Sequence, residues 1–199
     1  MNVALFDYGA GNLHSLAKAL ERGSARVSIT TEWERALAAD ALVLPGVGAF
    51  SAAVKALPAD RTRVRGALAE GLPCLGICLG MQLFFEESEE GSGEGIGLIQ
   101  GRVRRLAAPV VPHMGWNDVA DTGDPLFAGL EGGMAAYYAH SYRCDTADER
   151  TVIGWTEYAG ERIAAAVREG RTWGVQFHPE KSSGPGLRLI DNFLEMARR

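Results

Sequence analysis

Short apolar segments alternate with amphipathic helical patterns in the first half of the chain. Runs of four or five residues that are typical of buried strands occur at residues 3–6, 26–30, 41–44 and 73–77. Helical spacing of apolar positions covers residues 13–22, 33–38, 50–57, 62–70 and 79–85. Asn12 is the predicted N-cap of the first of these helices. This alternation of strand and helix predicts a parallel sheet with helices on both faces.

The second half of the chain contains strand-like segments with little helix between them. Residues 86–97 are acidic and rich in glycine, which is typical of a surface loop. Val, Ile, Tyr and Trp then recur in segments 103–106, 117–119, 135–141, 152–158, 163–168 and 172–177. A helical pattern over residues 187–197 closes the chain. The predicted fold class is α/β, with a central, mostly parallel sheet and added antiparallel strands in a single domain over residues 1–199.

Length, composition and charge exclude several classes of protein. The chain has 199 residues, 47% hydrophobic and 23% charged, which is ordinary for one globular domain. A net charge of −5, with no long run of Lys or Arg, argues against nucleic acid or anionic lipid as a partner. We expect a cytoplasmic protein with no membrane association, because no apolar stretch approaches the ~20 residues that cross a bilayer. Three cysteines indicate free thiols, and their spacing predicts no metal site; we expect no cofactor.

One cysteine occupies a position suited to a nucleophile. Cys78 lies between a predicted buried strand and a predicted helix, with Gly76 and Gly80 two residues to either side. Small residues there permit the sharp turn of a nucleophile elbow, and the N-terminus of a helix favours the thiolate. The alternative is a small buried hydrophobic residue, which is what we expect of Cys74 and Cys144. The two glycines favour a nucleophile at Cys78.

A base for this thiol follows a later strand. His178 comes directly after segment 172–177, at the sheet edge where open α/β proteins bind their ligands. Extended backbone through Pro179 would place Glu180 on the same side as His178, where its carboxylate could fix the imidazole tautomer. Alone, these three residues also fit a strand end with a solvated glutamate. Together with Cys78, they predict a Cys-His-Glu catalytic triad in an enzyme.

These motifs resemble those of the class I, triad-type glutamine amidotransferases. The general resemblance rests on Pro45-Gly46-Val47-Gly48, Gly76-Ile77-Cys78-Leu79-Gly80-Met81-Gln82 and His178-Pro179-Glu180. A narrower resemblance is to the glutaminase subunits of imidazole glycerol phosphate synthases, which act in histidine biosynthesis. It rests on Asp7-Tyr8-Gly9-Ala10-Gly11-Asn12, Pro112-His113-Met114-Gly115-Trp116-Asn117, Tyr138-Ala139-His140-Ser141-Tyr142 and Lys181-Ser182. The resemblance implies a flavodoxin-like, class I glutamine amidotransferase fold.

The resemblance also implies the hydrolysis of L-glutamine to glutamate and ammonia. Cys78 would attack the side-chain carboxamide, His178 would protonate the departing ammonia and then activate water, and Glu180 would orient His178. The expected oxyanion donors are the backbone N–H groups of Val47 and Leu79. Residues implied in binding glutamine are Gly48, Gln82, Ser141 and Tyr142.

A protein partner is implied as well. In the family, ammonia passes to a cyclase subunit with a (βα)8-barrel fold, which makes imidazole glycerol phosphate and an aminoimidazole carboxamide ribonucleotide. The expected assembly is a heterodimer of the two subunits. Positions that resemble interface or gating residues are Asn12, Trp116, Tyr137, His140 and Lys181. The alternative for these five is a helix cap, a packed aromatic pair and surface polar groups.

Three other functions stay open at this stage. The chain could serve another synthase, such as one for anthranilate, GMP or carbamoyl phosphate, although the motifs at residues 7–12 and 112–117 argue against this. It could be a stand-alone cysteine hydrolase of the same fold, active without a partner. It could also be a non-catalytic binding subunit with a relic triad, which the presence of Cys78, His178 and Glu180 argues against.

Overall fold

A computed structural model describes residues 1–9, 13–46, 48–130 and 132–199, which form twelve strands and six helices. The strands are β1 (Asn2–Phe6), β2 (Arg26–Thr30), β3 (Ala41–Leu44), β4 (Cys74–Ile77), β5 (Glu87–Ser88), β6 (Gly101–Arg105), β7 (His113–Asp121), β8 (Met134–His140), β9 (Tyr142–Thr146), β10 (Val152–Tyr158), β11 (Glu161–Glu169) and β12 (Thr172–Val175). The helices are α1 (His14–Arg22), α2 (Trp33–Leu37), α3 (Phe50–Ala56), α4 (Arg61–Ala69), α5 (Leu79–Gln82) and α6 (Ser183–Ala197). None of these helices is long and apolar enough to span a bilayer.

Within the described residues, nine strands form one sheet in the order β2-β1-β3-β4-β12-β11-β10-β7-β8. The first five strands in this order are parallel to one another. From β12 onward each neighbouring pair is antiparallel. Strands β5, β6 and β9 form a second, smaller sheet. The predicted α/β class with antiparallel additions is confirmed, and β4 and β12 meet at the centre of the large sheet.

Hydrophobic cores fill both faces of the parallel half. Side chains alternate between the faces along each strand, so Val3 and Leu5 of β1 belong to one core while Ala4 and Phe6 belong to the other. Helices α1 and α6 cover the first core, and α3 and α4 cover the second. The predicted placement of helices on both faces is therefore confirmed. Burial on both faces explains why these strands are almost wholly apolar.

Strand β9 is an element that the sequence pattern does not predict. Of its five residues only Cys144 is fully buried, while Arg143 and Asp145 form ion pairs at the surface. The strand exists because it pairs with β6 in the smaller sheet, which is a long-range contact. Strand β5, a two-residue strand within the predicted loop 86–97, likewise pairs with β6.

The C-terminal helix begins earlier than the predicted residue 187. Helix α6 starts at Ser183 and includes Gly184, Pro185 and Gly186, a sequence that normally breaks a helix. Proline is tolerated in the first turn because its missing N–H has no partner there. Gly186 is needed because a Cβ at this position would collide with the Pro179 carbonyl oxygen.

Three predicted boundaries need correction near the site. Helix α5 ends at Gln82 rather than at residue 85, and β12 ends at Val175 rather than at residue 177. Leu13 occupies the N-cap of α1 and makes no side-chain cap. The predicted cap residue, Asn12, lies outside the described residues.

Close packing of α5 on β3 gives a testable prediction. A Cβ at Gly80 would collide with the backbone carbonyl of Leu44, which cannot move aside as a flexible side chain would. We expect Gly80→Ala to lower the free energy of unfolding by about 1–3 kcal/mol, the usual range for overpacking. Urea unfolding followed by circular dichroism measures this change.

Gly66 provides the matched control for this substitution. It lies within α4, and a Cβ there would meet no atom within 4 Å. Since alanine favours a helix over glycine, Gly66→Ala should raise the free energy of unfolding by up to ~1 kcal/mol. Equal effects of the two alanines would contradict the packing that we describe around Gly80.

Candidate active site

Cys78 lies at the sharp turn that the sequence predicts between β4 and α5. Its backbone has φ 47° and ψ −102°, a conformation that residues with a side chain rarely adopt. The Cys78 N–H donates a 2.6 Å hydrogen bond to the carbonyl of Val175 at the end of β12. Such strained backbone costs about 1–3 kcal/mol and persists where the surrounding structure enforces it.

The glycines on either side of Cys78 are required by close packing. A Cβ at Gly76 would lie 2.6 Å from the ring of Phe84 and 2.7 Å from the backbone of Gly80. Gly80 in turn lies against β3 at Leu44. The two glycines therefore let β4 and α5 approach each other closely enough for the turn to form.

His178 and Glu180 are hydrogen-bonded and nearly buried. The imidazole Nδ1 lies 2.8 Å from Glu180 Oε1, and the two side chains are 5% and 10% exposed. Their proximity was predicted, but the predicted reason is wrong. Pro179–Lys181 form a single 3₁₀ turn rather than extended backbone, and this turn brings Glu180 under the imidazole.

Ser182 holds this turn in place, a role that the sequence reasoning missed. Its hydroxyl donates a 2.6 Å hydrogen bond to the carbonyl of His178 and accepts one of 2.9 Å from the N–H of Tyr137. The N–H of His178 also donates to the carbonyl of Tyr137, at 2.8 Å. Strand β8 therefore fixes the backbone that carries the imidazole.

The position of His178 between Cys78 and Glu180 favours its protonated form. Burial by itself lowers the pKa of the imidazole, but hydrogen bonds to Cys78 and Glu180 outweigh this and raise the pKa to about 9. Because Nδ1 faces Glu180, Nε2 is the ring nitrogen left for Cys78. An imidazolium beside a thiol stabilises the thiolate and can supply a proton to a leaving group.

Gly46 brings the predicted oxyanion loop against both groups. A Cβ at Gly46 would lie 2.9 Å from Cys78 Cβ and 3.0 Å from His178 Cε1, so only glycine fits without displacement. Gly48, on the other side of this loop, is exposed and has φ 107°, a conformation suited to glycine. Val47 lies outside the described residues.

Gln82 is buried rather than exposed on its helix. Its Nε2 donates to the carbonyl of Tyr142, at 3.3 Å, and to Oε1 of Gln176, at 3.4 Å. The structure thus brings together two of the predicted glutamine-binding residues, Gln82 and Tyr142. Ser141 is half-buried, and its carbonyl accepts from the N–H of Leu106 at 3.0 Å.

Gln176 also contacts the predicted nucleophile, and the sequence reasoning did not identify it. The side chain is fully buried, and Nε2 lies 3.5 Å from Cys78 Sγ. A signal was present in the sequence, because Gln176 is a polar residue near the end of an apolar segment and two residues before His178. Alternation along an extended backbone places such residues on the same side.

Two buried histidines lie behind the Tyr142 carbonyl. His140 Nδ1 lies 2.8 Å from this carbonyl oxygen, and His140 Nε2 lies 3.0 Å from Nδ1 of His113. Burial lowers the pKa of His140 to about 4 and also lowers the pKa of His113. Burial therefore favours the neutral form of both rings, and it leaves only 5% of His140 exposed at the surface.

Trp116 and Lys181 flank Tyr137 at the surface. Trp116 is 55% exposed, with its ring centre 6.2 Å from that of Tyr137. The Lys181 ammonium lies 5.8 Å from the centre of the same Tyr137 ring. Met114, 65% exposed, lies on the same strand as Trp116. Met114 and Trp116 form an exposed apolar surface next to Tyr137 and Lys181, beside the turn that carries His178.

Within the described ranges, neither a grouping of metal ligands nor the open depression on β7, β8 and β10 coincides with these residues. In the described part of the chain, no three His, Cys, Asp or Glu side chains are grouped to hold a metal ion. An open depression of about 950 Å³ lies on β7, β8 and β10, next to Asp118, Met134 and Trp155. Cys78, His178 and Glu180 do not line this depression. The candidate catalytic residues therefore lie at the turn around Cys78 and not in the depression.

Comparisons with known proteins find similarity over almost the whole chain. The family model described as "Glutamine amidotransferase class-I" matches residues 4–197. Proteins named imidazole glycerol phosphate synthase subunit HisH are similar: that of Moorella thermoacetica is 45% identical over 98% of this chain and 95% of its own. The Methanosarcina mazei protein of that name is 45% identical over 98% of both chains.

Solved structures share the fold at lower sequence identity. A crystal structure of a glutamine amidotransferase superposes with a TM-score of 0.77 and 21% identity, covering 99% of both chains. The structure of PurLQS from Thermotoga maritima gives a TM-score of 0.76 and 21% identity over 98% of both chains. At this identity the likeness establishes the fold alone.

The contact between Glu180 and His178 predicts how the imidazole titrates. In Glu180→Gln the pKa of His178 should fall from about 9 toward its ordinary value of 6.5, because the negative partner is lost. NMR titration of the imidazole measures the pKa. Glu195→Gln, at an exposed position of α6, is the control and should change nothing. An unchanged His178 pKa in Glu180→Gln would contradict the described contact.

The same pKa predicts how stability depends on pH. Since the pKa of His178 in the folded protein lies above 6.5, its protonation stabilises the fold. This contribution is complete below pH 6.5 and is lost as the pH rises through about 9. Urea unfolding at several pH values should show this loss in the unmodified protein and a smaller one in Glu180→Gln. Equal losses would contradict it.

Proposed function

The chain belongs to the class I glutamine amidotransferase family, and we propose on this basis that it is the glutaminase subunit of an imidazole glycerol phosphate synthase. The family model spans almost the whole chain, and the relatives with 45% identity carry that synthase's name. The observation that carries the proposal is the hydrogen-bonded pair of His178 and Glu180 beside Cys78, which lies at a strained elbow. The substrate is L-glutamine and the pathway is histidine biosynthesis.

In the proposed reaction, Cys78 is the nucleophile. Its thiolate attacks the side-chain carboxamide carbon of glutamine, and the C–N bond breaks as the His178 imidazolium gives its proton to the departing ammonia. The product is a glutamyl thioester. Neutral His178 then takes a proton from water, which attacks the thioester and releases glutamate and the thiolate. Glu180 stabilises the imidazolium through both steps.

Two backbone donors are proposed for the oxyanion. The N–H of Leu79 lies in the first turn of α5, where no intrahelical acceptor exists. The second is the N–H of Val47, whose neighbour Gly46 lies against Cys78 and His178. Removing one oxyanion donor typically costs about 2.7–4 kcal/mol of barrier, so the conformation of this loop can gate the reaction.

Glutamine is proposed to bind beside Gln82. Because Gln82 uses its Nε2 for Tyr142 and Gln176, Oε1 is the acceptor that it offers to the α-ammonium group of the substrate. Gly48, Ser141 and the backbone of Tyr142 complete the proposed binding segment. Gly48 has no side chain and adopts a positive φ without strain, so its backbone can approach a ligand closely.

Ammonia is proposed to pass to a cyclase subunit with a (βα)8-barrel fold, in a cytoplasmic heterodimer. The exposed apolar surface of Met114 and Trp116, next to Tyr137 and Lys181, supports docking at this end of the site. Asn12 stays a predicted interface residue. His140 is proposed to act from the interior, through the Tyr142 carbonyl that it binds.

The names of the chain's relatives favour imidazole glycerol phosphate synthase over the other synthases and over a stand-alone hydrolase. Relatives with 41–45% identity over at least 98% of the chain carry the imidazole glycerol phosphate synthase name. Structures at 21% identity share only the fold and favour no other synthase. A stand-alone cysteine hydrolase has no observation in its favour.

Glutamate release from glutamine tests the proposal. It is measured with the chain alone, with the cyclase subunit of the same organism, and with that subunit and its phosphoribulosyl-formimino carboxamide nucleotide. We expect a low rate alone and a sharp rise with both additions. Cys78→Ala should lower the rate by about 10³-fold or more in every condition.

Two results would contradict the proposal, one concerning the partner and one concerning the nucleophile. Fast release that ignores the cyclase subunit indicates another synthase or a free hydrolase. Release that survives Cys78→Ala excludes Cys78 as the nucleophile. Cys144→Ala is the matched control, because Cys144 is a buried thiol in β9 and should leave the rate within a few-fold of the unmodified protein.

A further inference from the structure

Gln176 is a buried amide between the nucleophile and the glutamine-binding helix. Its side chain has no solvent exposure. Nε2 lies 3.5 Å from Cys78 Sγ, and Oε1 lies 3.4 Å from Nε2 of Gln82. Its backbone N–H donates to the carbonyl of Ala165 in β11, at 2.8 Å. The residue is therefore fixed to the sheet while its side chain joins two parts of the site.

The orientation of both amides follows from one backbone carbonyl. The Tyr142 oxygen can only accept hydrogen bonds, so Gln82 must present its NH₂ group to it. The same NH₂ group contacts Gln176, which must then present its oxygen. The NH₂ group of Gln176 is consequently directed to Cys78 Sγ. The Tyr142 carbonyl orients Gln82, and Gln82 orients Gln176. A hydrogen-bond donor of Gln176 therefore faces the Cys78 sulfur.

The two buried histidines extend this hydrogen-bond network from the Tyr142 carbonyl. His140 Nδ1 also binds the Tyr142 carbonyl, so Nδ1 carries the proton. His140 Nε2 then accepts from His113 Nδ1. With both histidines neutral, every member from His113 to Cys78 has a consistent donor or acceptor. A buried network of this kind is rigid because each group is satisfied.

We propose that Gln176 is a positioning residue of the glutaminase reaction, which holds the Cys78 thiolate by an N–H donor and fixes Gln82 in its substrate-binding orientation. The proposal rests on the function proposed above. A donor to a buried thiolate stabilises the charged form, and a hydrogen bond to a charged group is worth roughly 10- to 100-fold in an equilibrium. Gln176 therefore influences the nucleophile and the binding of glutamine together.

Alkylation of Cys78 by iodoacetamide tests the first part without requiring turnover. The thiolate attacks the methylene carbon, a C–S bond forms and iodide leaves, so the rate against pH reports the thiolate fraction. Gln176→Met keeps the length of the side chain but removes the donor. We expect the alkylation midpoint to rise by about one pH unit or more. Fragment-ion mass spectrometry distinguishes Cys78 from Cys74 and Cys144.

Steady-state kinetics of the complete synthase test the second part. Gln176→Met should lower kcat/KM for glutamine by roughly 10- to 100-fold, through both kcat and KM. Gln82→Met removes the contact that orients the Gln176 amide, but it keeps that amide, whose NH₂ group can still donate to Cys78. It should therefore raise KM with a much smaller shift of the alkylation midpoint. This second variant keeps the proposal testable if Gln176→Met fails to fold.

Thr172→Val is the matched control, on strand β12, which directly precedes Gln176. Thr172 is fully buried in β12, and its hydroxyl has no hydrogen-bond partner in the described part of the chain. This variant should retain the kinetics and alkylation profile of the unmodified protein. It shows whether the loss of any buried polar group in β12 changes the site.

The outcomes separate this proposal from the proposed function. An unchanged alkylation midpoint in Gln176→Met overturns it, even if the rate falls, because the residue is then merely structural. Equal midpoint shifts in Gln82→Met and Gln176→Met also overturn it. If the unmodified synthase releases no glutamate but the midpoint shifts in Gln176→Met, the proposed function fails and the positioning of the thiol stands.

Discussion

The backbone of Cys78, held at φ 47°, is the constraint on which the rest of the site depends. Surrounding packing enforces this strained conformation: Gly76 and Gly80 let β4 and α5 approach closely, and Val175 accepts the Cys78 N–H. The turn is thus built by the two central strands of the large sheet and by helix α5, which follows β4 along the chain. Because β12 also leads into His178, the same pairing of β4 with β12 aligns the thiol and the imidazole.

Strands outside the parallel half of the large sheet position further groups of the site around Cys78. Strand β8 fixes the backbone of His178 through Tyr137, and the carbonyl of Tyr142 at the start of β9 sets the polarity of Gln82 and Gln176. The exposed side of β7 and β8 carries the apolar surface proposed for the partner. The nucleophile and the docking surface therefore share one set of strands, which provides a physical route by which a partner can influence the site.

Sequence reasoning succeeds where the determinants are local. The elbow at Cys78 follows from two glycines and an apolar strand, and the contact of His178 with Glu180 follows from their spacing, although a turn rather than extended backbone produces it. Strand β9 and Gln176 depend on distant partners. One pairs with β6, and the other is 98 residues from Cys78 along the chain, so neither has a local signature strong enough to identify it.

Rapid quenching followed by mass spectrometry tests whether Cys78 forms a covalent intermediate with glutamine. The complete synthase, with its nucleotide, is mixed with glutamine and quenched within one turnover, and the protein is digested. We expect a glutamyl group bound to the peptide that contains Cys78, and no such adduct in Cys78→Ala. A glutamyl adduct on another residue, or release of glutamate at full rate from Cys78→Ala, would contradict it.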